Sequence, residues 1–317
     1  MNIGVDIGGT NIAAGIVDDG GRIIKKITAS TNRGRGYGAV VKEISIILNA
    51  LSKDFEGGRK VAVGLAIPGV GDEYGNVIKC VNLGWRNVPL SDDIKKLTGM
   101  DCVIENDSNA AAVGEYRFGS MKGKESFVML TLGTGLGSGI IDGGRLMKGF
   151  HGAGAEIGHM VVGENFYNCT CGKNGCLETF ASASALVRYF KRIASAGDEY
   201  TVAIDMAGGD VELVDSKIIT QAAMRGDVLS LMAFDRLCKY LATGIVNIIN
   251  VIDPQEIVIG GGLSGAGDFL LEKVDSYVKK SIFYNELTHA RVRLALLGDD
   301  AGVAGAAALP EFLKYPI

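Results

Sequence analysis

A chain of 317 residues in which 47% are apolar can bury a sizeable core, which excludes a mainly disordered state and suggests two domains of ordinary size. Its formal net charge of -4 is spread without a block of like charges, excluding an obvious nucleic-acid footprint or membrane-surface patch. No apolar run reaches the roughly 20 residues that span a bilayer, and residues 1–6 lack the layout of a signal peptide, so a cytoplasmic protein acting on small molecules is expected.

In chain order, strands are predicted around residues 3–6, 13–17, 23–28 and 61–67, joined by glycine-containing turns. Residues 37–55 read as a helix, with Val40, Ile44, Ile47, Leu48 and Leu51 on one apolar face. A strand at 102–105 leads into Asn106-Asp107-Ser108 and an Ala-rich helix over 109–118, which places Asp107 where strand meets helix. Helices follow at 181–194, 216–225 and 228–252, the last stopped by Asp253-Pro254. A strand at 256–259 runs into Gly260-Gly261-Gly262, with a helix at 269–280 and an Ala-rich helix near 302–309 packing back on the N-terminal domain. Strands alternating with helices make the class α/β.

The chain also repeats itself. Asp6-Ile7-Gly8-Gly9-Thr10 followed by Gly15-Ile16-Val17-Asp18-Asp19-Gly20-Gly21-Arg22 is echoed by Leu132-Gly133-Thr134-Gly135 followed by Gly139-Ile140-Ile141-Asp142-Gly143-Gly144-Arg145. Each copy reads as strand, glycine hairpin, strand, Asp-Gly turn and strand, predicting a duplicated α/β domain with one phosphate-approaching hairpin per half. Glycine lets an anion come close to backbone N–H groups, so Gly8-Gly9-Thr10 and Gly133-Thr134-Gly135 are candidate polyphosphate turns, with Asp6 placed to hold Mg²⁺ directly or through water. There is no G-x-x-x-x-G-K-[ST] loop. Gly260, Gly262 and Gly265 match G-x-G-x-x-G between a strand and a helix, which leaves a nicotinamide-dependent oxidoreductase open as a second class. Against that class, the position about 20 residues on, where an acid would hold the ribose, falls around Tyr284 and Asn285, with Glu286 adjacent.

Several motifs follow one another in order: Asp6-Ile-Gly-Gly-Thr-Asn11, Asn82-Leu-Gly-Trp85, Glu105-Asn-Asp107-Ser-Asn-Ala110, Leu132-Gly-Thr-Gly-Leu-Gly137, Glu156-Ile-Gly-His159, Cys169-Thr-Cys-Gly-Lys-Asn-Gly-Cys176 with Leu177-Glu178, and Gly260-Gly-Gly262. Together they resemble the ROK family of bacterial sugar kinases, and within it the glucokinases, over nearly the whole chain. The resemblance implies a duplicated actin-like (Hsp70-like, ribonuclease H-like) ATPase fold of two domains around a cleft that closes on a sugar and ATP, in a homodimer or dimer of dimers. On that reading the small domain takes residues 1–107 with about 301–317, and the large domain 108–300. ROK repressors look similar but carry an added N-terminal helix-turn-helix, for which the first motif at Asp6 leaves no room. The segment Glu164-Asn-Phe-Tyr-Asn168 departs from the Gly/Pro-containing stretch expected before the cysteines.

The resemblance assigns Asp107 as the base that takes a proton from the acceptor hydroxyl, a step phosphoryl transfer needs beside cations on the phosphates. Asp107 reads equally well as a helix cap from its own surroundings, as Asn106 reads as a turn asparagine. Asn106, Glu156, His159 and Glu178 would bind ring hydroxyls; Asn11 and the Gly260–Gly262 turn join the nucleotide site. His159 with Cys169, Cys171 and Cys176 supplies one imidazole and three thiolates, enough for a closed, structural Zn²⁺ site that orients His159 and Glu178, although C-x-C-x4-C is not the usual finger spacing. Cys80, Cys102 and Cys238 read as core residues. The expectation is ATP plus a hexose, foremost glucose, giving the 6-phosphate. N-acetylmannosamine kinase, fructokinase and a non-catalytic sugar-sensing protein are the alternatives.

Overall fold

Strand β1 (Asn2–Ile7) sorts its side chains by the period of two that a strand imposes. Ile3, Val5 and Ile7 are fully buried on one face, and Gly4 and Asp6 lie on the other. In the computed structural model, which describes residues 1–55, 61–197, 199–284 and 286–314, β1 is followed by β2 (Asn11–Val17), β3 (Ile23–Ser30), α1 (Tyr37–Ser52) and β4 (Val63–Ile67). Asn285 and the last three residues of the expected C-terminal domain segment lie outside the described residues. Three short strands that the residue pattern does not announce come next, β5 (Val70–Gly71), β6 (Val77–Cys80) and β7 (Trp85–Val88), paired as a small sheet. Then α2 (Leu90–Thr98), β8 (Cys102–Asn106) and α3 (Asp107–Phe118) follow.

The remaining elements are β9 (Phe127–Leu132), β10 (Leu136–Asp142), β11 (Arg145–Leu146), α4 (Ala183–Ala194), α5 (Val202–Met206), α6 (Ser216–Met224), α7 (Val228–Ile252), β12 (Glu256–Gly260), α8 (Asp268–Ser281), β13 (Arg291–Leu294) and α9 (Ala301–Lys314). One five-stranded sheet runs β3-β2-β1-β4-β8 and the other β11-β10-β9-β12-β13. Counted within each set, both orders are third, second, first, fourth, fifth, so the repeat seen in two glycine hairpins is a repeat of an entire sheet. In the first sheet β1, β4 and β8 are parallel, which brings their C-terminal ends to one edge.

By contacts the chain divides into two compact units, the first made of Met1–Phe127, Gly139–Ala155 and the chain from Leu296 on, the second of Val128–Ser138 and Glu156–Ala295. In the first unit, α1 covers the Ile3/Val5/Ile7 face with Val40, Ile44, Leu48 and Leu51, as its apolar stripe predicts. The opposite face carries α9, the helix expected to pack back on the N-terminal sheet. Backbone meets backbone there: a Cβ on Gly64 would lie 1.8 Å from Ala306 O, and one on Gly305 would lie 1.7 Å from Ala110 O in α3. Only glycine allows α9 to sink that far between sheet and helix.

In the second unit α4, α6 and α8 pack around the long α7. The starts of α4, α6 and α7 are capped by local polar side chains that accept backbone N–H bonds, Ser182, Asp215 and Asp227 in turn, and α7 ends with Asp253 at φ 50° before Pro254. Among the described residues no helix is long and apolar enough to cross a membrane.

Candidate active site

The first unit gathers acidic and phosphate-type features at the C-terminal edge of its parallel strands. Asp6 is the next-to-last residue of β1, and Asn106 and Asp107 stand where β8 passes straight into α3. The helix begins two residues earlier than the sequence predicts because Asn106 caps it, its Oδ1 accepting from Ser108 N at 2.9 Å and Asn109 N at 3.2 Å. Asn106 Nδ2 donates to Gly69 O at 3.3 Å. Asp107 is therefore the first helical residue rather than the cap, with Oδ1 accepting from Ser108 N at 2.7 Å. A carboxylate in a first helical turn is favoured by the orphan N–H groups there.

Burial raises the Asp6 carboxyl to about 6, the negative charge of Asp107 adds to the rise, and Lys26 opposes it. The two carboxylates thus lie near enough to feel each other, a pair that a cation would relieve. Beside them, a Cβ at Gly302, in the first turn of α9, would lie 2.3 Å from Asp6 Oδ2. The turn after β1 is tied tightly: Gly8 N donates to Asn11 O at 2.9 Å, Thr31 Oγ1 to Gly8 O at 2.7 Å, and Thr31 N to Thr10 O at 2.8 Å. Thr10 and Asn11 are its exposed tip, with Gly9 partly buried. The carboxylate next in sequence to Asn106, Glu105, is buried and pairs with Lys148 Nζ at 2.8 Å.

In the second unit the hairpin Gly133-Thr134-Gly135 repeats this form, with Thr134 exposed at its tip and Gly133 N donating to Gly135 O at 3.0 Å. Glu178 is locked onto it. Glu178 Oε2 accepts from Leu136 N at 3.1 Å, and a Cβ at Gly135 would fall 2.2 Å from the same oxygen. The Gly260–Gly262 turn sits beside the same strand end, where a Cβ at Gly261 would meet Leu132 O at 2.6 Å. Glu156 is exposed and precedes a single 3₁₀ turn, Ile157–His159, and its Oε2 lies 4.0 Å from His159 Nε2.

His159 turns its other nitrogen to the cysteines, Nδ1 lying 3.6 Å from Cys169 Sγ. Cys171 Sγ and Cys176 Sγ are 3.6 Å apart, Cys169 Sγ is 3.5 Å from Glu178 Oε1, and the four potential ligand atoms of His159, Cys169, Cys171 and Cys176 all lie within 4.8 Å of one another. Sulfurs on a tetrahedral zinc at about 2.3 Å would stand roughly 3.8 Å apart, so this donor set fits zinc in number, type and spacing. Burial and the neighbouring thiols push Cys176 up to about 12, whereas backbone N–H donation at Lys173 lowers Cys171. Cys80 and Cys238 are buried away from the cluster, and Cys102 is half-buried with Sγ 3.2 Å from Ser91 Oγ.

Two features escape the motif reading. Gly302 looks like any small residue of an Ala-rich helix, and nothing local marks it as the neighbour of Asp6, 296 positions away in sequence. Asn165 and Arg236 meet at 3.1 Å beside Glu178 and the cysteine loop, though 71 residues separate them. The departure from the family pattern at residues 164–168 was the available signal for the first of that pair.

The model of the ROK family matches residues 2–311. Glucokinase of Streptomyces coelicolor is 37% identical over 318 residues, covering 98% of this chain and 97% of that protein. A putative xylose repressor of Caldicellulosiruptor is 31% identical, covering 99% of this chain and 79% of the repressor. Among solved structures, a ROK family glucokinase from Streptomyces griseus in complex with glucose and AMPPNP matches with a TM-score of 0.86 and 39% identity, covering 97% of this chain and 98% of that one.

Proposed function

This chain belongs to the ROK family, and we propose that within it the protein is an ATP-dependent hexose kinase whose acceptor is the 6-hydroxyl of glucose. Its twice-built sheet is the actin-like ATPase fold. The observation that carries the reading is the carboxylate pair Asp6 and Asp107 at one strand edge of the first unit, one of them held well above the usual carboxylate range. Phosphoryl transfer to an alcohol needs both halves of that pair: a base for the hydroxyl proton and an anion for the nucleotide's metal.

In this mechanism Asp107 accepts the proton of the sugar hydroxyl as its oxygen attacks the γ-phosphorus, and the nucleotide diphosphate leaves. Asp6 would hold Mg²⁺, which offsets phosphate charge when bound. The turns at Gly8, Gly9, Thr10 and Asn11 and at Gly133, Thr134 and Gly135 offer short backbone and hydroxyl groups to the phosphates, and Gly260, Gly261 and Gly262 keep side chains out of the nucleotide's way. Asn106, Glu156, His159 and Glu178 orient the sugar through its hydroxyls. His159, Cys169, Cys171 and Cys176 would hold a structural Zn²⁺, which fixes the loop when bound. A homodimer in the cytoplasm fits the same reading.

The test is ADP release from ATP and Mg²⁺ across glucose, fructose, mannose, N-acetylmannosamine, N-acetylglucosamine and allose, with zinc content determined on the same sample. Preference for glucose is the expected result. Preference for N-acetylmannosamine or fructose would move the protein to those kinases. The repressor relative motivates the second reading: sugar binding by calorimetry without turnover, in folded and zinc-loaded protein, would make this a sugar-sensing module.

A further inference from the structure

Glu178 rides on the short turn Leu177–Thr179, and its Oε2 is held by Leu136 N at 3.1 Å. A single 3₁₀ turn is weakly held by its own hydrogen bonds, so a carboxylate on it needs support from outside the turn. That support reaches the next residue. Thr179 O accepts from Asn165 Nδ2 at 2.7 Å and from Tyr167 Oη at 2.7 Å, while Thr179 Oγ1 accepts from Asn165 Nδ2 at 3.0 Å and donates to Cys176 O at 2.7 Å.

Asn165 is itself held on every polar group. Its backbone N and O pair with the side chain of Asn174, inside the cysteine loop, at 2.8 and 2.9 Å. Its Oδ1 accepts from Phe166 N at 2.9 Å and from Arg236 Nη2 at 3.1 Å. Arg236, projecting from α7, is in turn fixed by rings: its guanidinium carbon lies 4.4 Å from the centroid of Tyr189, 4.7 Å from Phe180 and 5.2 Å from Tyr240. Phe180 and Tyr240 are stacked with centroids 3.9 Å apart. A planar cation against several aromatic faces has little freedom to move.

We propose that Asn165, its side chain locked by the ring-bound Arg236, is a positioning residue that sets Glu178 for the sugar. This rests on the reading of Glu178 as a sugar ligand. Sugar-binding groups act by geometry, and a displacement near 1 Å can cost on the order of a hundredfold in rate, so a partial loosening of one ligand is expected to cost roughly tenfold. The loss should fall more on the sugar than on the nucleotide, because the Asn165 side chain touches Thr179 and Arg236, and the Gly133–Gly135 hairpin feels it at second hand through Glu178.

The experiment compares Asn165→Ala, Arg236→Ala, Glu178→Gln and the double variant Asn165→Ala with Glu178→Gln, each assayed with glucose and with ATP as the varied substrate and each measured for zinc. The expected result is a glucose KM raised about tenfold in Asn165→Ala and Arg236→Ala, a smaller change in ATP KM, full zinc content, and a double variant little worse than Glu178→Gln alone. If Asn165→Ala fails to fold, Arg236→Ala reaches the same contact from a different element and decides the matter. An unchanged glucose KM in folded, zinc-loaded Asn165→Ala and Arg236→Ala, while Glu178→Gln is impaired, overturns the proposal alone. Lowered melting temperature or lost zinc with an unchanged glucose KM also overturns it, assigning Asn165 to stability. Normal glucose kinetics in Glu178→Gln would remove the underlying reading of Glu178 instead, and the proposal with it.

Discussion

Asp6 and Gly4 share a face of β1, and what covers that face is the first half of α9, with Gly302 directly over the carboxylate. The resulting burial, with Asp107 nearby, raises the folded-state pKa of Asp6 from 3.8 to about 6. The folded protein therefore binds this proton more tightly than the unfolded chain, and the corresponding stability is present below about pH 4 and lost as pH rises through about 6. At 1.36 kcal/mol per unit, the cost at pH 8 is on the order of 3 kcal/mol. Asp6→Asn should accordingly raise the melting temperature of the metal-free protein, by more at pH 8 than at pH 5, and Mg²⁺ with nucleotide should stabilise the parent and not the variant. For Asp107 the prediction concerns rate. Asp107→Asn keeps the side chain's shape at the start of α3 but removes the proton acceptor, and kcat should fall by about 10²–10⁴ with little change in melting temperature, as read by ADP release and calorimetry.

At the scale of elements, the close seating of α9 decides how Asp6 is enclosed. Gly64 and Gly305 leave no room for a methyl group against Ala306 O and Ala110 O. Gly305→Ala must push α9 away from α3, and a loss of about 1–3 kcal/mol in denaturant unfolding is expected. Most elements around this packing are legible in the residues. The apolar stripe of α1, the alternation of β1, the capping Ser182 and Asp215, and the Asp253-Pro254 stop are all short-range signals. The small sheet β5-β6-β7 was not legible, because strands of two to four residues carry too few positions for a period to show. Helix α3 begins earlier than its apolar content suggests because its start is set by the Asn106 cap and not by hydrophobic pattern.

At the scale of the whole molecule, the chain leaves the first unit at Val128, re-enters it for Gly139–Ala155, builds the rest of the second unit, and returns finally at Leu296. The return is pinned by one fully buried carboxylate. Glu115 Oε1 accepts from Leu296 N at 2.9 Å and Leu297 N at 2.7 Å, and Oε2 accepts from Ser120 N at 2.7 Å and Ser120 Oγ at 2.8 Å. Glu115→Ala leaves four partly buried donors without this acceptor and empties a buried site, so thermal unfolding should show a marked loss of stability, on the order of 1–3 kcal/mol in total, and weakened placement of α9.

Legible in the residues alone are the family, the repeated sheet, most strands and helices, and the residues proposed for the site. These are local: a hairpin needs its glycines, a cap its oxygen, and a metal loop its thiols within a few residues of one another. Tertiary structure alone decided that Gly302 abuts Asp6, that Lys148 neutralises the buried Glu105, and that Arg236 reaches across 71 residues to hold Asn165 beside Glu178. Such pairings leave no period and no motif, because side chains distant in sequence meet only where helices and strands have already packed, and burial then sets the strength of each charge and hydrogen bond.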